Sequence, residues 1–195
     1  MGKGLIGFGM LILIILFLVG SAIGSYNRLV KLDEGVDEAW SQVENTYQRR
    51  ADLIPNLVAT VKGAADFEQE TLTKVVEARA KVGQTNIEGS PTAQQMQQFE
   101  QAQSQLSSAL SRLLVVVERY PELKATDAFR DLQSQLEGTE NRIAVERRRY
   151  NEATRAYNEE RRRFPTVLLA GLMGFEQKPY FESTEGADIP PKVEF

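Results

Sequence analysis

The 195-residue chain contains no cysteine, no histidine and a single tryptophan. Without thiols, disulfides, thiolate nucleophiles, zinc ribbons and iron–sulfur clusters are excluded. Without imidazole there is no Ser-His-Asp triad, no histidine metal site and no Glu-x-x-His pair of a di-iron bundle. An enzyme of this composition is confined to carboxylate, Lys, Tyr or Ser/Thr chemistry. A thiol-free chain suits either side of a membrane, so the compartment stays open. What is present is ordinary for a globular domain: 42% hydrophobic, 26% charged, with 23 Lys+Arg against 27 Asp+Glu for a net charge of −4. Length and composition imply one domain with a short appendage.

Charge is absent from one stretch. From Leu5 to Gly24 the chain reads LIGFGMLILIILFLVGSAIG. Such a run, at about 1.5 Å per residue, covers the roughly 30 Å of a bilayer's hydrocarbon core. A cleaved signal peptide is the rival reading, with Lys3 as the basic start and small residues around Ala22-Ile23-Gly24. The run exceeds the roughly 7–15 residues of a signal core, which favours an uncleaved anchor. The expected division is an anchor over residues 1–25, a helical domain over 26–175 and an irregular tail over 176–195.

Beyond the anchor, apolar residues recur at 3-4 spacing. Leu29, Val36, Trp40, Val43, Tyr47, Ile54, Leu57 and Val61 keep one register, with Arg50 as its charged member, and predict a helix from Tyr26 to Lys62. The register crosses Pro55 unchanged, so a kink is expected there, not a turn. Gly63 to Asp66 is the expected break, with Asp66 and Gln69 as a capping box. A short second helix runs to Val82, and Gly83 to Pro91 reads as a loop. A third helix from Thr92 carries Phe99, Gln103, Leu106, Leu110, Leu113, Val117 and Tyr120. Pro121 closes it and can open the next. The fourth, from the 120s to Pro165, carries Phe129, Leu132, Leu136, Ile143, Tyr150, Ala153, Tyr157 and Phe164, with Gly138 a weak point. No segment reads as a strand. The fold class is therefore all-α: a transmembrane helix followed by an elongated antiparallel four-helix bundle. Helix lengths bring the far end of the fourth helix back to the membrane surface.

That fourth helix is acidic early and basic late, ending in Arg161-Arg-Arg163. The bland explanation is a match to the helix dipole and a solvated face. The sharper one is contact with anionic lipid through Arg155, Arg161, Arg162 and Arg163, aided by the short apolar segment that ends at Phe175. That segment equally suits capping the bundle core. Nucleic acid is not an expected partner, since glutamates interleave the arginines and no aromatic platform is evident. Glu44, Asp52, Glu118, Glu140 and Glu146 could pair, but no spacing selects one pair for acid–base work. No catalytic residue, cofactor or metal site is expected. Tyr150-Asn151 and Tyr157-Asn158, one heptad apart, read as repeated packing and hydrogen bonding along a seam.

Several blocks resemble the LemA family of bacterial membrane proteins: Ala39-Trp-Ser-Gln-Val43, Arg49-Arg-Ala-Asp-Leu-Ile-Pro-Asn-Leu-Val58, Leu110-Ser-Arg-Leu-Leu-Val-Val-Val-Glu118 and Leu136-Glu-Gly-Thr-Glu-Asn-Arg-Ile-Ala-Val145. Phe164-Pro165, Gly174-Phe175 and Lys178-Pro-Tyr-Phe181 extend the likeness, which covers Tyr26 to Phe181. The resemblance implies a single-pass anchor and a four-helix domain, and implies no established catalysis. Polar identities in its blocks nominate Arg50, Asp52, Asn56, Glu140, Asn141 and Arg142 as a partner-contact surface. The expected function is a membrane-anchored, non-enzymatic scaffold in a bacterial cell membrane that self-associates and engages another membrane protein. The alternative is a lipid-surface or envelope-remodelling role for the Arg-rich end. Positive charge near the membrane leans the domain towards the cytoplasmic face.

Overall fold

The computed structural model describes residues 2–63, 67–85, 87 and 89–182, with side chains from residue 7 onward. Six helices follow in order: α1 (Gly2–Lys62), α2 (Gln69–Val82), α3 (Ala93–Val117), α4 (Pro121–Lys124), α5 (Asp127–Arg162) and α6 (Thr166–Leu172). The fold is all-α, with no strand among the described residues.

The anchor segment and the first helix of the body are one element. α1 runs unbroken for 61 residues, from the apolar run through Pro55 to Lys62. It is the one helix among the described residues long and apolar enough to cross a membrane. Phe8 to Val19 stand open around its first turns, as a lipid-facing surface would. Past the anchor, Leu29, Val36, Trp40, Val43, Tyr47, Ile54, Leu57 and Val61 are all buried, and so is Arg50.

Pro55 has no N–H, so the carbonyl of Ala51, four residues earlier, loses its intrahelical donor. The Arg79 side chain on α2 replaces it, its Nε–H donating to Ala51 O at 2.9 Å. The proline therefore sits inside a continuous helix because a neighbouring helix completes the backbone pairing.

Helix boundaries follow local chemistry. Thr92 caps α3 with a reciprocal capping box to Gln95, satisfying end groups that would otherwise lack partners. The Asp66 half of the capping box expected before α2 lies outside the described residues; the N-cap position is Glu68, whose side chain makes no cap bond. The expected fourth helix is preceded by a separate turn and ends before the last member of its stripe. Pro121 opens only the single turn of α4. Thr126 then starts α5, its Oγ1 accepting from the Phe129 N–H at 3.3 Å, and α5 continues through Gly138 to Arg162. Phe164, expected on the buried seam, is exposed because the helix ends before reaching it.

α1 and α5 run antiparallel along their lengths, with Arg50 paired to Glu140 and Arg28 to Glu160. α2 and α3 are antiparallel to each other, tied by Glu68–Arg119 at one end and Lys81–Gln105 towards the other. One core cluster joins Ile54, Leu57 and Val61 of α1 to Leu72 and Val75 of α2, Leu106, Leu110 and Leu113 of α3, and Phe129 and Leu136 of α5. A second, nearer the anchor, gathers Leu29, Trp40, Tyr47, Phe99, Ile143, Tyr150, Tyr157 and Phe181. The α2–α3 connection reaches only the level of Asp37, whose carboxylate accepts from the Ser90 N–H at 3.0 Å and from the Ser90 hydroxyl. Below that level α1 and α5 continue towards the anchor without α2 and α3 beside them.

Candidate functional site

The uncovered stretch of α1 and α5 is completed by residues after α5. α6 packs on both helices through Thr166 and Ala170, which are buried. Gly174 then turns the chain with φ +77°, a left-handed conformation natural to glycine. Residues 175–182 run back along α5 as an extended strap without regular secondary structure.

Side chains on α5 hold this strap by its backbone. Asn151 donates from Nδ2 to Phe181 O at 3.1 Å and accepts the Phe181 N–H on Oδ1 at 2.9 Å. One heptad on, Asn158 does the same with Lys178, at 2.9 and 3.1 Å. Each asparagine thus uses the paired donor and acceptor of its amide as a strand neighbour would. The Tyr150 hydroxyl donates to Pro179 O at 3.1 Å and the Tyr157 hydroxyl to Glu176 O at 2.9 Å. The spacing is matched: seven helical residues rise about 10.5 Å, and three extended residues cover about 10 Å. Burial pushes the phenols of both Tyr150 and Tyr157 up to about 12, so both remain hydroxyl donors.

The strap is also plugged into the core. Phe181 is buried with its ring centroid 5.3 Å from Tyr150, 6.0 Å from Trp40 and 6.5 Å from Phe99. The Arg147 guanidinium covers it from 4.6 Å and donates to Glu182 O at 3.0 Å. Lys178 pairs with Asp33 on α1 at 2.8 Å. The expected irregular tail therefore begins as a docked segment; residues 183–195 lie outside the described residues.

The arginines nominated for lipid contact gather at this base. Arg155, Arg162 and Arg163 are exposed and Arg161 is half-buried, its Nε–H donating to Phe175 O at 2.7 Å. Phe175 itself is half-buried, edge-on to Tyr26 at 5.9 Å. The buried Glu160 carboxylate accepts from Arg28, Arg163 and the Thr166 hydroxyl at 3.5, 3.2 and 3.4 Å. Beside these cations, α6 and its flanks expose Phe164, Val167, Leu168, Leu172 and Met173, with Leu172 85% exposed. The Arg28–Glu160 pair sets this rim one helical turn past the end of the apolar run.

The nominated partner-contact residues do not form one surface. Asp52, Asn56, Glu140, Asn141 and Arg142 are exposed. Arg50 is 2% exposed and belongs to the interior. Its guanidinium donates to Gln103 Oε1 at 2.6 Å, Glu140 Oε2 at 2.8 Å and Ser107 Oγ at 3.1 Å, tying α1 to α3 and α5. A charge at a core position requires such partners, and Arg50 is spent on them. Asp52 lines a groove between α1 and α2, together with Glu44 and Arg79. Glu140 instead lines one of about 290 Å³ with Arg50, Ser107 and Gln133. Among the described residues no group of three or more acids is placed to hold a metal ion.

The LemA family model matches residues 39–195. The chain belongs to the LemA family. Magnetosome protein MamQ 1 of Paramagnetospirillum magneticum is 27% identical over 198 residues, covering 92% of this chain and 72% of that protein. Magnetosome protein MamQ of Magnetospirillum gryphiswaldense is 28% identical, covering 85% and 67%. Protein LemA of Metamycoplasma hominis is 23% identical, covering 84% and 71%. The matched span of this LemA-family chain includes both asparagine–tyrosine pairs, α6 and the strap.

Proposed function

We propose that this LemA-family protein is a single-pass, non-enzymatic scaffold of a bacterial cell membrane, seated on the lipid surface at its base. The carrying observation is the exposed apolar rim of α6, Val167, Leu168, Leu172 and Met173, beside Tyr26 and the terminal arginines. An apolar strip flanked by cations next to a membrane-spanning segment matches the layering of an interface, with apolar groups entering the acyl boundary and guanidinium groups meeting phosphates. α6 combines the two roles weighed for it, since Thr166 and Ala170 face inward while the rim faces out. Core contacts from α1, α2, α3 and α5 support an antiparallel four-helix bundle above that base. Self-association and engagement of another membrane protein belong to the same proposed reading.

The test uses the full chain in vesicles with anionic phospholipid. Because the chain has no cysteine, Leu172→Cys accepts a single spin label. The label should be reached by oxygen dissolved in lipid in preference to an aqueous nickel chelate, and neutralising Arg161, Arg162 and Arg163 should raise its aqueous access. Equal aqueous access at Leu172 and at the body residue Gln98 would overturn the seated base.

A further inference from the structure

Three elements converge on one carboxylate at the base. Arg28 of α1 donates from Nη1 to Glu160 Oε1 at 3.5 Å, Arg163 after α5 donates from Nη1 to Oε2 at 3.2 Å, and the Thr166 hydroxyl of α6 donates to Oε1 at 3.4 Å. The carboxylate lies beneath its two cations. Its side chain is 8% exposed, whereas those of Arg28 and Arg163 are 62% and 63% exposed. One guanidinium would neutralise the buried charge, so the second leaves this cluster with an excess positive charge. Among the described residues each of these two arginines commits Nη1 to Glu160 and keeps Nε and Nη2, a fork that fits phosphate oxygens. Arg161, by contrast, spends its Nε–H on Phe175 O.

We propose that Arg28 and Arg163, held on Glu160, form a clamp for one phosphate group of an anionic phospholipid. The proposal rests on the seated base in the reading above and names its lipid contact. Depth fits: Arg28 stands four residues beyond Gly24 on α1, about 6 Å along the axis, and the polar layer of a bilayer adds roughly 5–7 Å to the hydrocarbon on each side. Tyr26, 41% exposed, lies between, at the level favoured by interfacial tyrosines. Glu160 is the positioning residue. It fixes both guanidinium groups on the two oxygens of one carboxylate, so less side-chain freedom remains to be lost when phosphate arrives. An acid in this role weakens the diffuse attraction of the base for an anionic surface while improving its geometry, and that opposition makes the clamp testable.

The test uses the full chain in phosphatidylcholine vesicles with spin-labelled phosphatidylglycerol or phosphatidylcholine as probe, and reads the motionally restricted fraction of each lipid. The unaltered chain should retain phosphatidylglycerol in preference. Arg28→Lys keeps the charge but loses the fork, and should lower that preference at least about threefold. Glu160→Gln makes the base more positive and should nevertheless lower it too. A diffuse field would leave Arg28→Lys unaltered and raise the preference about fivefold in Glu160→Gln; either result overturns the clamp. Replacing chloride by inorganic phosphate at equal ionic strength separates the sources. A preference that persists supports the lipid, and one that vanishes overturns the lipid assignment. The Leu172→Cys label, carried in each chain, reports whether the base is seated, and if Glu160→Gln unseats it, Arg28→Lys decides alone. A label in lipid with the preference unaltered by Arg28→Lys removes the clamp and leaves the seated base; a label open to water without either substitution removes both.

Discussion

The distal half of the body is closed by aliphatic side chains contributed by α1, α2, α3 and α5, whereas the half near the anchor is closed by rings and by a segment with no regular structure. Both halves use the same two long helices. They differ because the α2–α3 connection reaches no lower than Asp37, leaving the lower stripe of α1 and α5 to the short α6 and the strap. Broad flat rings and a single extended strap cover a two-helix ridge that helices elsewhere would cover. The lesson is that helix length mismatch creates a demand for burial, and the chain's last described segment meets it.

The largest test of this comparison is Phe181→Ala. If the strap is core, the loss should reach about 3–5 kcal/mol, as for other buried aromatics, and should equal or exceed Leu113→Ala in the distal half. Denaturant unfolding of the full chain in mild detergent measures both; a loss below about 0.5 kcal/mol would make the segment a mere surface tail. Next is Arg50→Met, which keeps apolar bulk at the junction of the halves but strands the Gln103 oxygen. About 1–3 kcal/mol should be lost, while Asp52→Ala and Asn56→Ala should each stay within about 0.5 kcal/mol.

A smaller effect concerns the distal half alone. Arg79→Met should cost about 1 kcal/mol by stranding the Ala51 carbonyl. In a Pro55→Ala background the restored N–H takes over, so most of that cost should vanish from the double-mutant cycle. Additive losses would disprove the substitution of side chain for backbone donor.

The smallest effect is on pH dependence. Burial holds the Glu44 carboxyl above its ordinary 4.5. The folded protein thus binds that proton more tightly than the unfolded chain. The resulting stabilisation is complete below 4.5 and fades as pH rises through the raised value. Glu44→Gln should flatten the fall in melting temperature between the acidic range and neutrality; Glu100, raised by burial in the same way, retains its share. An unaltered profile would remove Glu44 from the account.

Much of this was legible in the spacing of residues. The α1 stripe from Leu29 to Val61, Arg50 included, is buried as its register requires, because long amphipathic helices advertise their inner face repeatedly. Ends were less legible. Asp66 and Gln69 drew the capping-box reading, yet the reciprocal box sits at Thr92 and Gln95, an equally visible pattern. Phe164 continued the arithmetic of the last stripe although the helix stops at Arg162. The strap was missed because an extended segment buries one side chain in several and leaves no period. Its signal lay elsewhere, in the two Tyr-Asn pairs, whose hydrogen-bonding capacity exceeded what a helical seam uses. Arg50 was nominated as a contact on the polar identities of its block, while its register already assigned it to the interior, where it is buried.

With the proposed anchor seated in a bilayer, the unbroken passage of α1 from Gly2 to Lys62 makes the protein a lever. Lys62 stands about 57 Å along the helix from Gly24, so a lean of about 20°, common for spanning helices, swings the far tip sideways by roughly 19 Å. With no joint between the greasy and watery portions, local membrane thickness becomes a displacement at the outermost end.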